Sequence, residues 1–124
     1  MGFTAPSGWN IWKMRFEKQS EGESDMKYYS TRDAAVRMDA AEAIKMGLSR
    51  DGGLLTPCEI PQIDRAFLES LVNVRYQERA AKVMGLYLTD YTYEELSGFA
   101  ENAYGPEKFD CDAVAPVRTV DETT

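Results

Sequence analysis

Residues 46–61 read M-G-L-S-R-D-G-G-L-L-T-P-C-E-I-P. Gly47, Gly52 and Gly53 fall within seven positions, and Pro57 and Pro61 close the run. Such a cluster is either a phosphate cradle or a corner between packed elements. A P-loop requires G-x-x-x-x-G-K-[ST], and a dinucleotide turn requires G-x-G-x-x-G between a strand and a helix. Gly47 to Gly53 matches neither, and its glycine pair leads into Leu54-Leu55. The stretch therefore reads as a structural turn at Asp51, Gly52 and Gly53, where glycine permits positive φ and Asp51 bonds its own downstream backbone.

Working outward, D-A-A-E-A-I-K-M at 39–46 reads as a helix, with Asp39 at the N-cap and Glu42 completing a capping box. Ile44 and Leu48 are expected on its buried side, and Gly47 in the left-handed position that ends it. K-Y-Y-S at 27–30 is a short strand. Leu54 to Thr56 leaves the turn as a second strand paired with it, and Pro57 ends that strand or confines it to an edge. Three amphipathic helices follow: Asp64 to about Val72 with Phe67, Leu68 and Leu71 on one side, Tyr76 to about Leu88, and one starting at Thr92. Thr92 and Glu95 form a second capping box, and Gly105-Pro106 is the stop. Leu96, Phe99, Ala100, Ala103 and Tyr104 make its apolar stripe and are expected in the core. A third strand is read near Val117 to Val120. The expected class is α+β, mostly helical, with about four helices and a small two- to three-stranded sheet.

The chain has 124 residues, enough for one domain with a modest core. Its net charge is -7, and its basic residues are scattered singly among acids, so nucleic acid is not an expected partner. No apolar run approaches the roughly 20 residues of a membrane span. Cys58 and Cys111 stand apart and the chain has no histidine, which leaves no zinc-type spacing and no base for a serine or cysteine nucleophile. Glu59 also opposes a thiolate at Cys58. With no secretory signal apparent, two reduced thiols and a cytoplasmic protein are expected. Asp110-Cys111-Asp112 lacks the glycine turn and distal glutamate of a calcium loop. No catalytic residue, metal site or cofactor site is assigned within the chain.

The ends differ from the middle. G-W-N-I-W-K-M-R-F places Trp9, Ile11, Trp12, Met14 and Phe16 close together, and nine polar residues then form a linker up to Asp25. This stretch is either an amphipathic docking segment or an extension upstream of a natural first residue at Met26; the second is the expectation. Residues 118–124 read as the start of a connection to a further domain, because an apolar alternating segment ends there with nothing after it to cover it.

Tyr29-Ser30-Thr31-Arg32 groups two hydroxyls with a guanidinium. That suits an anion, and equally suits fixing the exit of a strand by local hydrogen bonds. The residues alone leave both open.

Taken in order and spacing, Y-S-T-R, E-A-I-K-M-G-L-S-R-D-G-G-L-L-T-P-C-E-I-P, Y-Q-E-R-A, E-E-L-S-G-F-A-E-N-A-Y and V-A-P-V resemble the N-terminal domain of threonine synthases, from about Met26 to Val117. G-L-S-R-D-G-G-L is the most specific part. Leu55-Thr56 and Cys58-Glu59 depart from the family's aromatic-aliphatic pair and two acids, and Asp33 from the glycine that often follows Y-S-T-R. The resemblance implies an enzyme that converts O-phosphohomoserine and water to threonine and phosphate with pyridoxal phosphate as electron sink. The family's cofactor lysine lies in a stretch resembling H-G-P-T followed by F-K-D, and neither occurs here. Lys108-Phe109-Asp110 has the wrong order and context. The expectation is an N-terminal domain or fragment, inactive alone, whose partner is a missing C-terminal catalytic domain. Tyr29, Ser30, Thr31 and Arg32 would then lie at the active-site mouth or the domain interface. The alternative is a free-standing, non-catalytic interaction module of the same fold.

Overall fold

A computed structural model describes residues 25–121. The aromatic stretch and most of the polar linker, residues 1–24, lie outside the described residues, as do 122–124. In chain order the elements are β1 (Tyr28–Ser30), α1 (Ala40–Met46), β2 (Leu55–Pro57), α2 (Arg65–Glu69), α3 (Tyr76–Met84) and α4 (Tyr93–Ala103), then a 3-10 turn at Pro106–Lys108. Among the described residues this is an α+β fold of four helices and a two-stranded antiparallel sheet.

The strands pair as expected, with Tyr28 opposite Pro57, Tyr29 opposite Thr56 and Ser30 opposite Leu55. Cys58 N–H donates to Lys27 O at 2.7 Å and Thr31 N–H to Leu54 O at 2.9 Å. Inward bonds thus come from alternate residues, and Pro57, lying between them, needs no donor towards β1. No third strand forms at Val117 to Val120, which is irregular, with Val117 98% exposed. Pro116 removes a donor there, and the far side of β1 is already taken by Met38, which exchanges two backbone hydrogen bonds with Tyr28 at 2.9 and 3.1 Å.

α1 departs from its sequence reading in three ways. The Asp39 side chain makes no cap bond and pairs with Lys27 instead. The open N–H of Ala41 is taken by Asp90 Oδ2 at 2.7 Å, a cap supplied from 49 residues away; such caps contribute about 1 kcal/mol. Ala40 and Ala43 are the buried residues, whereas Ile44 and Leu48 are exposed. The helix approaches its neighbours through small side chains, which leaves the large ones outside. Gly47 has φ 74° and ψ -70°, and Leu48 N–H bonds Met46 O at 3.0 Å. That is a γ-turn of positive φ in place of a left-handed cap, and it sends Leu48 across to bridge Leu54.

α2 is shorter than expected and buries no residue completely. Asp64 Oδ1 caps it by accepting Phe67 N–H at 2.8 Å. It stops at Glu69 because α3 satisfies the carbonyls beyond: Lys82 Nζ reaches Ser70 O at 3.1 Å, Arg79 Nε reaches Leu71 O at 3.0 Å, and Arg79 Nη2 reaches Val74 O at 3.3 Å.

The centre of the fold is the seam between α3 and α4, where Ala81, Leu96 and Ala100 are buried and Met84, Leu88 and Tyr104 flank them. The capping box of α4 is complete, with Thr92 Oγ1 accepting Glu95 N–H at 3.3 Å and Glu95 Oε2 accepting Thr92 N–H at 2.8 Å. These bonds hold the Glu95 carboxyl below the usual range. Of the expected stripe, Leu96 and Ala100 are buried and Tyr104 is half-buried, but Phe99 and Ala103 lie outside. One facing helix covers a narrower strip than five residues occupy.

The loop 87–90 joins this helical pair to the sheet. Met26 N–H donates to Thr89 Oγ1 at 2.9 Å, Tyr28 OH to Tyr87 O at 3.1 Å, and Asp90 caps α1. Among the described residues no helix is long and apolar enough to cross a membrane.

Candidate functional site

The strand register brings Ser30, Thr31 and Arg32 against the glycine turn. Ser30, only 1% exposed, donates its hydroxyl to the Asp51 carboxylate, 2.8 Å from each oxygen, and accepts Arg32 N–H at 3.2 Å. Asp51 Oδ1 also accepts Gly53 N–H at 2.8 Å. Thr31 Oγ1 accepts Leu54 N–H at 3.0 Å, and Arg32 Nη1 reaches Asp51 O at 3.1 Å. Tyr29 lies under the Arg37 guanidinium, 5.7 Å from its ring centre. Y-S-T-R and D-G-G are thus two sides of one latch. The Gly53 N–H, then the Ser30 hydroxyl, hold the Asp51 carboxyl below its ordinary range.

The latch settles what the glycines offer. Gly52 has φ 78°, and its N–H is spent on Ser49 O at 2.8 Å, as that of Gly53 is on Asp51. A phosphate cradle needs such N–H groups open. An anion placed here would meet the Asp51 carboxylate where it needed donors. What remains outward is Thr31 with the Arg32 guanidinium, whose other N–H groups are bonded by no described residue. Strand register is the signal that links Ser30 to Asp51, 21 positions away.

The described lysines do not fit a pyridoxal-phosphate site. Lys27 is paired with Asp39, and nearly buried Lys82 lies 3.1 Å from Glu78 Oε1 while donating to Ser70 O. Lys45 and Lys108 are exposed, on the last turn of α1 and on the 3-10 turn. Among the described residues no cluster of histidine, cysteine, aspartate or glutamate could hold a metal ion, and Cys58 and Cys111 are separate, exposed thiols.

Comparison with known proteins covers this whole arrangement. The family described as threonine synthase N terminus matches residues 27–104. Threonine synthase of Corynebacterium glutamicum is 36% identical over 103 residues, which cover 78% of this chain and 21% of that protein. Human threonine synthase-like 1 is 38% identical over 81 residues, 63% of this chain and 11% of that one. The crystal structure of yeast threonine synthase matches with a TM-score of 0.64 at 32% identity, over 73% of this chain and 18% of that chain. That of the Escherichia coli enzyme matches with a TM-score of 0.66 at 22% identity, over 78% and 21%, a likeness of fold alone. The chain spans about a fifth or less of the length of these relatives.

Proposed function

Because the chain belongs to the threonine synthase N-terminal family, we propose that it serves as the N-terminal domain of an enzyme converting O-phosphohomoserine and water to threonine and phosphate. In this reading it contributes structure and the rim of a site, while pyridoxal phosphate and its lysine belong to a catalytic domain. The H-G-P-T and F-K-D stretches associated with that lysine do not occur in these 124 residues.

The observation that carries the reading is the mismatch between what the described residues bury and what they expose. Their buried apolar residues are four alanines, Met26, Met38 and Leu96. Ile44, Leu48, Leu54, Ile60, Leu68 and Val72 are exposed. Leu48 and Leu54 face each other across an isolated antiparallel bridge, so these two exposed leucines are neighbours. Small domains gain little from burial, and contiguous exposed apolar surface marks contact sites. A domain built this way packs on a larger body.

Within that body the latch would hold Tyr29 to Arg32 at the interface or active-site mouth, with Ser30 and Asp51 fixing the backbone from which Arg32 projects. Grafted in place of the matching region of a threonine synthase, this chain is expected to support phosphate release from O-phosphohomoserine. Arg32→Ala in the graft should raise KM roughly tenfold, the value of one charge-assisted hydrogen bond. A grafted enzyme that carries its cofactor imine yet releases no phosphate would support the free-standing module instead. Unchanged kinetics for Arg32→Ala would remove Arg32 from the rim.

A further inference from the structure

Arg32 is exposed, yet it is held at both ends. Its backbone N–H donates to Ser30 Oγ at 3.2 Å, and its Nη1 donates to the Asp51 carbonyl at 3.1 Å. The guanidinium lies over Gly52, where an added Cβ would stand 3.0 Å from Arg32 Nη1 and 3.6 Å from Arg32 Cζ. The seat exists because residue 52 has no side chain. A free surface arginine samples many rotamers, and fixing it beforehand lowers the entropy lost when a ligand is bound.

With Nη1 engaged on Asp51, the other edge of the guanidinium, Nε–H beside Nη2–H, is bonded by no described residue. That edge is a planar fork of two donors matched to two oxygens of one carboxylate or phosphate. The adjacent acids do not fill it. The Asp51 carboxylate turns to the Ser30 hydroxyl and Gly53 N–H, and Asp33 Oδ1 accepts Ala35 N–H at 2.9 Å. Other described cations are engaged differently: Lys27, Arg65, Arg75 and Lys82 each pair with a carboxylate. In a chain with 21 acidic residues against 14 basic, Arg32 is fixed in place without one of those acids as its partner. A net charge of -7 repels polyphosphate backbones, which leaves a small molecule as the source of the anion.

We propose that the Nε–Nη2 edge of Arg32 binds the oxyanion group of a small molecule, and that Gly52 is the positioning residue that seats it. This rests on the latch geometry and not on the enzyme-domain reading, so a graft that releases no phosphate would leave it standing. Within that reading, it gives Arg32 an anionic group of the substrate to hold.

The test follows the arginine Nε–H resonances of the full chain by NMR at constant ionic strength, with inorganic phosphate and acetate as probes. The Arg32 resonance should move along a saturable curve, with a shift several-fold larger than that of Arg118, an exposed arginine bonded by no described residue. A stronger response to phosphate assigns the fork to phosphate groups, and a stronger response to acetate assigns it to carboxylates; either upholds the proposal. Gly52→Asn should weaken the response several-fold while far-UV circular dichroism stays native, because asparagine accepts positive φ but its Cβ displaces the guanidinium. Arg32→Lys, which keeps the charge without the fork, should remove the saturable change in the probe's own phosphorus or carbon resonance. Responses that never saturate, or that Arg118 matches, would mean an adventitious ion only and overturn the proposal. So would saturable binding that survives Arg32→Lys, and an Arg32 response unmoved by Gly52→Asn would overturn the role of the seat.

Discussion

Leu96→Ala should cost about 4 kcal/mol and lower the urea midpoint of the domain sharply. Leu96 is fully buried, and its buried partners in the seam are Ala81 and Ala100. Leucine-to-alanine changes in cores cost about 2–5 kcal/mol, and the upper values arise where the surroundings cannot collapse into the cavity. Alanine has no rotamer with which to move inward, and α3 and α4 are held apart by their backbones. The half-buried rings and chains of Met84, Leu88 and Tyr104 could fill the space only by leaving their own contacts. Against a total of about 5–15 kcal/mol for a small domain, that loss removes a large share of the stability. Urea titration followed by circular dichroism measures it. A loss below about 1 kcal/mol would show that the seam is not the main source of stability.

Gly53→Ala should cost about 2–3 kcal/mol, the upper part of the range for overpacking, although it adds one methyl group at a turn. A Cβ at Gly53 would overlap the Ser30 hydroxyl oxygen, and would stand 3.0 Å from Asp51 Oδ1 and 3.1 Å from Arg32 N. Ser30 cannot retreat, being buried behind its strand and tied to Asp51. At Gly47 a Cβ would meet nothing within 4 Å, so alanine there suffers only the strain of positive φ, about 1–2 kcal/mol. Combining Gly53→Ala with Ser30→Gly should recover part of the loss, and additive losses would mean the two residues do not touch. The same latch has a pH signature of definite sign. Because the folded state lowers the Asp51 pKa, its stabilisation is present above the unfolded carboxylate value and disappears as pH falls through the lowered one.

The parts of the fold legible in sequence are those whose chemistry is local. Thr92 and Glu95 cap α4 from three residues apart, and the two short apolar runs on either side of α1 could pair in few ways. Long-range substitution defeated the rest. Asp39 looked like the cap of α1, but Lys27 claims its carboxylate and Asp90 takes over the task. α2 looked three residues longer because nothing nearby shows that Arg79 and Lys82 will satisfy the carbonyls past Glu69. Phe99 has helical spacing for the core, yet periodicity does not reveal how many helices will face a stripe. At the latch, Y-S-T-R and D-G-G were each legible as polar clusters. Only the pairing of Ser30 with Leu55 turns them into one structure and shows that the glycine N–H groups are already used.

The most direct measurement is phosphate release from O-phosphohomoserine with this chain as the sole protein and pyridoxal phosphate supplied. The account predicts release no faster than in the protein-free control, and no imine absorbance that borohydride abolishes. Threonine formed at a rate proportional to the amount of chain, or a borohydride-sensitive imine on one of its lysines, would contradict it.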